Sequence, residues 1–397
     1  MAPCPTQIAM SDPELDGRLN TTEPLAPADR LAAIDILRGI ALFGVMAINV
    51  VFEFRVSIFL EFLSPDRTAS PIDQMVARVL DQAVELKAFA LFSLLFGVGL
   101  AIQFDRLPAG RRAALLLRRL AVLLAIGLVH LTLIWNGDIL TEYALAGFVV
   151  LPFLFGPRWL VGVGSLAFLS LYLSDYLFRL VPLYDKAWIG RHVVEAAHVY
   201  GAGGFAEILS FRLDEISAIA PLHVWVVPRT LALFLIGAFV WRTGVLQRAS
   251  EHRSLIFGAG FVSLVVTIGA GQSLASVTLA LAYACFIIAA ASAQLGPNLL
   301  GWAAPLGRMA FTNYLMQSLI FGWVFYGYGL GLFGKLGAAT ALMIGVAVYV
   351  AQVIISRWWL ARFNFGPVEW LWRTLMYGQK QPMRPKAPAG VAPLAAE

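Results

Sequence analysis

The chain has 397 residues, of which 59% are hydrophobic and only 13% charged, with a formal net charge of +5. Globular domains carry about 25% charged residues, so this chain cannot cover its apolar surface in water, and a soluble fold is excluded. The apolar residues fall in blocks of about 20, the length of a helix that crosses a hydrocarbon core. The fold class is therefore all-α, a polytopic membrane helix bundle of about ten transmembrane helices.

Residues 1–30 are rich in Pro, Asp, Glu and Thr and have no apolar core, which predicts a disordered cytoplasmic tail and not a cleaved signal. Asn20-Thr21-Thr22 fits the glycosylation pattern, but that match is short, common and placed inside. The spans run roughly Ala33–Phe54, Val84–Phe104, Leu115–Trp135, Ile139–Phe155, Trp159–Leu180, His223–Thr243, Ser254–Ser273, Leu274–Gln294, Met309–Gly329 and Leu336–Leu360. Turns near Asn136 and Gly271-Gln272 divide otherwise continuous apolar runs. Residues 31–365 form the bundle. Cys4 and Cys285 are the only cysteines, one in the tail and one in a span, so neither a disulfide framework nor a thiolate metal site is indicated.

Orientation follows from basic residues near the span ends. The link "DRLPAGRRAALLLRR" is the most basic short loop. Placing it in the cytoplasm puts both termini there as well, while "WNGD", "GQS" and "GYGLGLFGK" face out. The outer segment 182–222 holds His192 and His198, six apart and therefore not on one helix face. It reads as a solvated cap with short helices, and no metal ligand set is expected. Residues 366–397 read as an interfacial helix followed by a basic tail: Gly366-Pro367 starts a short helix whose Trp370, Leu371, Trp372 and Leu375 suit headgroup depth.

A charge near the centre of a membrane helix costs about 2.5–3.5 kcal/mol, so polar residues within spans need a reason. Asp35 and Arg38 share a helix face and can pair at the cytoplasmic entrance; Arg38 can also face an anionic ligand. Asn49 and Glu53 form a second polar edge near the outer end. Arg106, Arg111, Arg112, Arg118 and Arg119 suit positive-inside retention. Arg118 and Arg119, however, lie inside the span, where a phosphate-bearing ligand would explain them.

His130 lies roughly 18 Å beyond Arg118, at about 1.5 Å per residue, in the outer half of its span. Alone it can be a neutral imidazole bonded to a neighbouring helix, and Asp138 can cap the following helix. Together with Glu142 and Tyr143, on two antiparallel neighbours, they place a base and an orienting carboxylate near one outward pocket. Asn313 and Gln317, four apart, serve either as interhelical glue or as partners of a polar substrate.

"IDILRGIALFGVMAINV", "KAFALFSLLFGVGLA", "RRLAVLLAIGLVHLTLIWNGDILTEYAL", "GRMAFTNYLMQSLI" and "FGPVEWLWRTLMYGQKQPMR" resemble the YeiB-like family, a domain-of-unknown-function family of bacterial inner-membrane proteins. The opening D-x-x-R-G is also similar to that of transmembrane acyltransferases of the heparan-glucosaminide acetyltransferase type and of bacterial O-acyltransferases that modify surface glycans. That resemblance implies acyl transfer from cytosolic acyl-CoA, as co-substrate, to a hydroxyl or amine acceptor at the outer face. The acetyltransferase family carries its histidine after the first span, and residues 51–83 here contain none.

On this expectation His130 and Asp138 are catalytic, Arg38, Arg118 and Arg119 bind the donor's phosphates, and Glu53, Asn313 and Gln317 bind substrate. The expected partners are the lipid bilayer and small-molecule donor and acceptor, with no nucleic acid; a homo-oligomer is compatible with the sequence. The rival expectation is a proton-coupled transporter or flippase, which uses the same polar residues. It lacks an internal repeat and a matched pair of broken helices.

Overall fold

Every regular element among the described residues is helical, as required of a chain that satisfies its own backbone hydrogen bonds in lipid. The computed structural model describes residues 32–63, 69–174, 176–177, 179 and 184–384. The expected N-terminal tail, residues 64–68 and residues 385–397 of the expected basic tail lie outside the described residues.

In chain order the main helices are α1 (Ala32–Ile48), α2 (Pro71–Ala83), α3 (Lys87–Arg106), α4 (Arg112–Val129), α5 (Leu140–Phe155) and α6 (Arg158–Leu173). They are followed by α7 (Lys186–Ala202), α8 (Phe205–Arg242), α9 (Arg253–Gly269), α10 (Gln272–Ala291), α11 (Ala310–Phe325), α12 (Ala338–Leu360) and α13 (Pro367–Tyr377). Among the described residues, six helical stretches are long and apolar enough to cross a bilayer: Ala32–Phe54, Pro71–Arg106, Ala109–Ile134, Phe205–Arg242, Gln272–Ala291 and Ala338–Leu360. The shorter α5, α6 and α9 are also apolar. The protein is a multi-helix membrane bundle.

Three local features position the site. First, α1 and α4 each loosen into a π-helical segment at one end, Asn49–Phe54 and His130–Ile134. Such segments occur frequently at functional sites, and here each carries polar residues. Second, α8 runs 38 residues without a break through Pro221 and Pro228. The sequence predicts a span beginning only at His223; the structure instead has that helix start at Phe205, so the last part of the expected cap belongs to it. Third, α3 and α8 cross closely at Gly97 and Gly237, where an added Cβ would fall on the carbonyls of Phe234 and Leu94. Close backbone approach of this kind is how membrane helices gain packing energy.

The apolar core has two main parts. One joins α3, α4, α5 and α8 through Leu94, Leu116, Leu120, Leu151, Phe234 and Leu235. The other gathers Phe54, Trp135, Phe321, Phe325 and Tyr326 around the π-helical ends of α1 and α4.

The C-terminal α13 fastens the start of α11. Glu369 accepts the backbone N–H groups of Phe311 and Thr312, at 2.9 and 3.0 Å, and the Thr312 hydroxyl. It thereby satisfies donors that the start of α11 cannot pair within itself. Trp372 donates its indole N–H to the Arg119 carbonyl at 3.0 Å, tying α13 to α4.

Candidate functional site

A tight corner after His130–Ile134 turns the chain back into α5, and Asp138 holds it. Its carboxylate accepts the N–H groups of Leu140 and Thr141, at 3.1 and 2.7 Å, which are orphan donors of the first turn of α5. The same carboxylate lies 2.8 Å from His130 Nδ1. Donation from Nδ1–H to the carboxylate leaves Nε2 as an acceptor, and the Ser318 hydroxyl of α11 lies 2.9 Å from it. The side chains of His130 and Asp138 are both 0% exposed.

Two further histidine–carboxylate pairs stand nearby. Glu142, one residue past Thr141, accepts from His223 Nδ1 and from the Thr230 hydroxyl of α8, both at 2.6 Å. Glu215 accepts from His192 Nε2 at 2.7 Å, from the Tyr200 hydroxyl at 2.7 Å and from the Asn136 amide at 2.6 Å. Burial pushes the Tyr200 phenol well above its ordinary value, and the adjacent Glu215 adds to this, so the group stays a donor.

These pairs surround one cavity of about 190 Å³, lined among others by Glu53, Asp138, Glu142, His223, Arg229 and Glu215. Beside it runs an apolar groove of about 370 Å³, lined by Leu131, Leu145, Val149, Ile216, Ala220 and Val227. Asn136, Asp138, Glu142, Ile219 and His223 line both spaces, so the His223–Glu142 pair stands at the partition. The His223 side chain is 39% exposed. His130 lies outside the lining: the buried Trp135, stacked on Phe54 at 4.4 Å, presents its ring to the cavity and meets the His130 ring edgewise at 6.1 Å.

The remaining residues singled out from the sequence separate into groups. Glu53 reaches the cavity wall. Asn313 donates to Ser356 at 2.9 Å, and Gln317 to Gln352 at 2.8 Å, joining α11 to α12 outside the cavity lining. Arg38 pairs with Asp35 at 3.0 Å. Arg119 stacks 4.1 Å over the Trp372 ring, and Arg118 is exposed beside Gly378. Sequence reasoning passed over Ser318, Arg229, and the pairing of His223 with Glu142 and of His192 with Glu215.

An all-helical membrane bundle with a polar, hydrogen-bonded cavity between its helices is the class that this fold and site define. A family profile described as "Protein of unknown function (DUF418)" matches residues 223–379. The chain is 33% identical over 405 residues to the uncharacterized protein YxaH of Bacillus subtilis (strain 168), an alignment covering 93% of this chain and 99% of that protein. It is 30% identical over 398 residues to the uncharacterized protein YeiB of Escherichia coli (strain K12), covering 87% and 96% respectively. These alignments run nearly end to end, and the chain belongs to the YeiB-like, DUF418 family. No solved structure matches it.

Proposed function

We propose that this protein is a multi-pass acyltransferase of the bacterial inner membrane, with ten spans and both termini in the cytoplasm. It moves an acyl group from cytosolic acyl-CoA to a hydroxyl or amine acceptor, a glycan or other envelope component, at the outer face. The observation that carries this reading is the Asp138–His130–Ser318 chain, held at the end of a buried polar seam. The seam begins at Glu369 and Thr312, continues through Asn313–Ser356 and Gln317–Gln352, and ends at Ser318 and His130. Polar groups inside a bilayer are costly and mark substrate paths. Amides and hydroxyls are also the partners that the amides of a pantetheine arm require.

In this reading Arg38, Arg118 and Arg119 hold the donor's phosphates at the inner mouth, Arg supplying the fork that phosphate oxygens fit. Asn313 and Gln317 exchange partners with the arm, and Glu53 orients the acceptor. The acceptor's oxygen or nitrogen attacks the thioester carbonyl carbon, forming the new bond as the carbon–sulfur bond breaks. Its proton passes to an imidazole and from there to the departing thiolate. Asp138 fixes the tautomer in which His130 Nε2 takes that proton; His223, oriented in the same way by Glu142, is the second base, at the cavity surface.

The three histidine–carboxylate pairs around one cavity favour a second reading, proton-coupled transport or flipping of a small polar or lipid substrate. Thermal unfolding of the detergent-purified protein with acetyl-CoA and longer acyl-CoAs separates the two. Saturable stabilisation in the wild type, lost when Arg118 and Arg119 are both changed to Ala, supports acyl transfer and makes turnover by His130→Ala the next assay. The absence of any shift in folded protein would sink the donor site and leave transport in first place.

A further inference from the structure

Arg229 lies on α8, six residues past His223 and so roughly 9 Å deeper along the helix. It is 2% exposed and lines the cavity, and its Nε and Nη1 have no hydrogen-bond partner among the described residues. Buried guanidinium donors without acceptors are costly inside a bilayer; the Arg229 guanidinium carbon lies 5.9 Å over the Tyr172 ring, but no nearby carboxylate accepts a hydrogen bond from its Nε or Nη1. Glu142 acts on it through space but is committed to His223 and Thr230. Asp138 and Glu215 are likewise occupied by donors from their own surroundings. The lining also holds Glu53, so the cavity as a whole is not positive; what stands open is the donor fork of Arg229, whose planar geometry suits a carboxylate or a phosphate.

The groove supplies the other half of the argument. Its wall is aliphatic, it meets the polar cavity along the His223–Glu142 partition, and Leu145 and Val149 at its edge are exposed on the apolar flank of the bundle. In a bilayer that flank faces acyl chains. A polar pocket with open guanidinium donors, joined to an apolar channel open toward lipid, has the outline of an amphiphile.

We infer that the cavity and groove together take one membrane lipid of the outer leaflet, with its apolar chain in the groove and an anionic group, carboxylate or phosphate, on Arg229. If the acyl-transfer reading holds, the same lipid is the acceptor, with its hydroxyl or amine beside His223; the lipid site itself does not depend on that reading.

The test uses the full chain purified in a neutral maltoside detergent and read by thermal unfolding. Dodecyl phosphate, dodecyltrimethylammonium and inorganic phosphate are titrated against the wild type, Arg229→Gln, Arg229→Lys and Val149→Trp, the last narrowing the groove. The expected result is saturable stabilisation by dodecyl phosphate alone. Its apparent affinity should fall by about 10–100-fold in Arg229→Gln, the range for losing a hydrogen bond to a charged group. Smaller losses are expected in Arg229→Lys and Val149→Trp.

Equal responses to the cationic and anionic amphiphiles would overturn the assignment, as would an affinity unchanged in Arg229→Gln. Inorganic phosphate matching dodecyl phosphate would overturn the lipid source. If Arg229→Gln does not fold, unchanged affinity in both Arg229→Lys and Val149→Trp is the overturning result. Acyl-CoA protection measured on the same samples keeps the two proposals apart: it can fail while the amphiphile still binds, and the reverse.

Discussion

The Nε2 of His130 lies 2.9 Å from the hydroxyl of Ser318, 188 residues further along the chain, and both side chains are buried. This bond joins the π-helical segment that follows α4 to the middle of α11. Removing the hydroxyl in Ser318→Ala leaves a buried ring nitrogen without a partner, which costs about 1–3 kcal/mol. We expect a lower thermal unfolding midpoint in detergent. An unchanged midpoint would show that the bond contributes nothing net.

Asp138 performs two tasks with one carboxylate, and two substitutions separate them. Asp138→Asn keeps an oxygen for the N–H groups of α5 but removes the charge facing His130. It should keep part of the cap, since Leu140 and Thr141 donate to different oxygens, and, in the acyl-transfer reading, lower turnover by about 10²–10⁴-fold, the usual worth of a positioned base. Asp138→Ala also loses the cap, at about 0.5–2 kcal/mol, and should be visibly less stable than Asp138→Asn. Equal stability of the two variants would argue against the capping role.

The sequence alone indicates a helical membrane bundle because hydropathy is a local property and every span carries its own. It also points to His130 with Asp138, since eight residues and one tight corner leave the two little choice of neighbour. His223 is a different case. Its partner Glu142 is 81 positions away on another helix, and nothing near His223 in the chain announces the pairing. The sequence singles out Gln317 and not its immediate neighbour Ser318; a step of one residue turns about 100° around a helix, so the two reach different partners. Pro221 and Pro228 ordinarily argue for an interrupted helix, and α8 carries both without ending.

The crossing of α3 and α8 predicts intolerance to very small additions. Gly97→Ala and Gly237→Ala each place a methyl group against a backbone carbonyl that cannot swing aside. Overpacking of this kind costs about 1–3 kcal/mol. Gly99→Ala has open space at the same helix and serves as the control. Size-exclusion profiles and unfolding midpoints should show both crossing variants impaired and the control unaffected.

Gly137 sits where a Cβ would overlap the Trp135 ring and the Glu53 carboxylate. Gly137→Ala should therefore displace Trp135 from its stack on Phe54. Tryptophan fluorescence of the variant should differ in emission maximum from the wild type. An unchanged spectrum would mean that the corner absorbs the methyl group elsewhere.

Glu369→Ala removes the acceptor for two backbone N–H groups at the start of α11. Loss of a helix-terminal acceptor costs about 0.5–2 kcal/mol. Amide exchange near Phe311 and Thr312 should accelerate while the distant α9 stays protected.

The same contact sets an order of events during biosynthesis. The ribosome makes α11 well before residue 369, so this helix enters the bundle with its first amides bare, and it stays so until α13 emerges. The closing piece is thus the last of the described helices to leave the tunnel. A nascent chain stalled before Pro367 would have most of its described helices made and the start of α11 unfastened, so closing the bundle waits for α13.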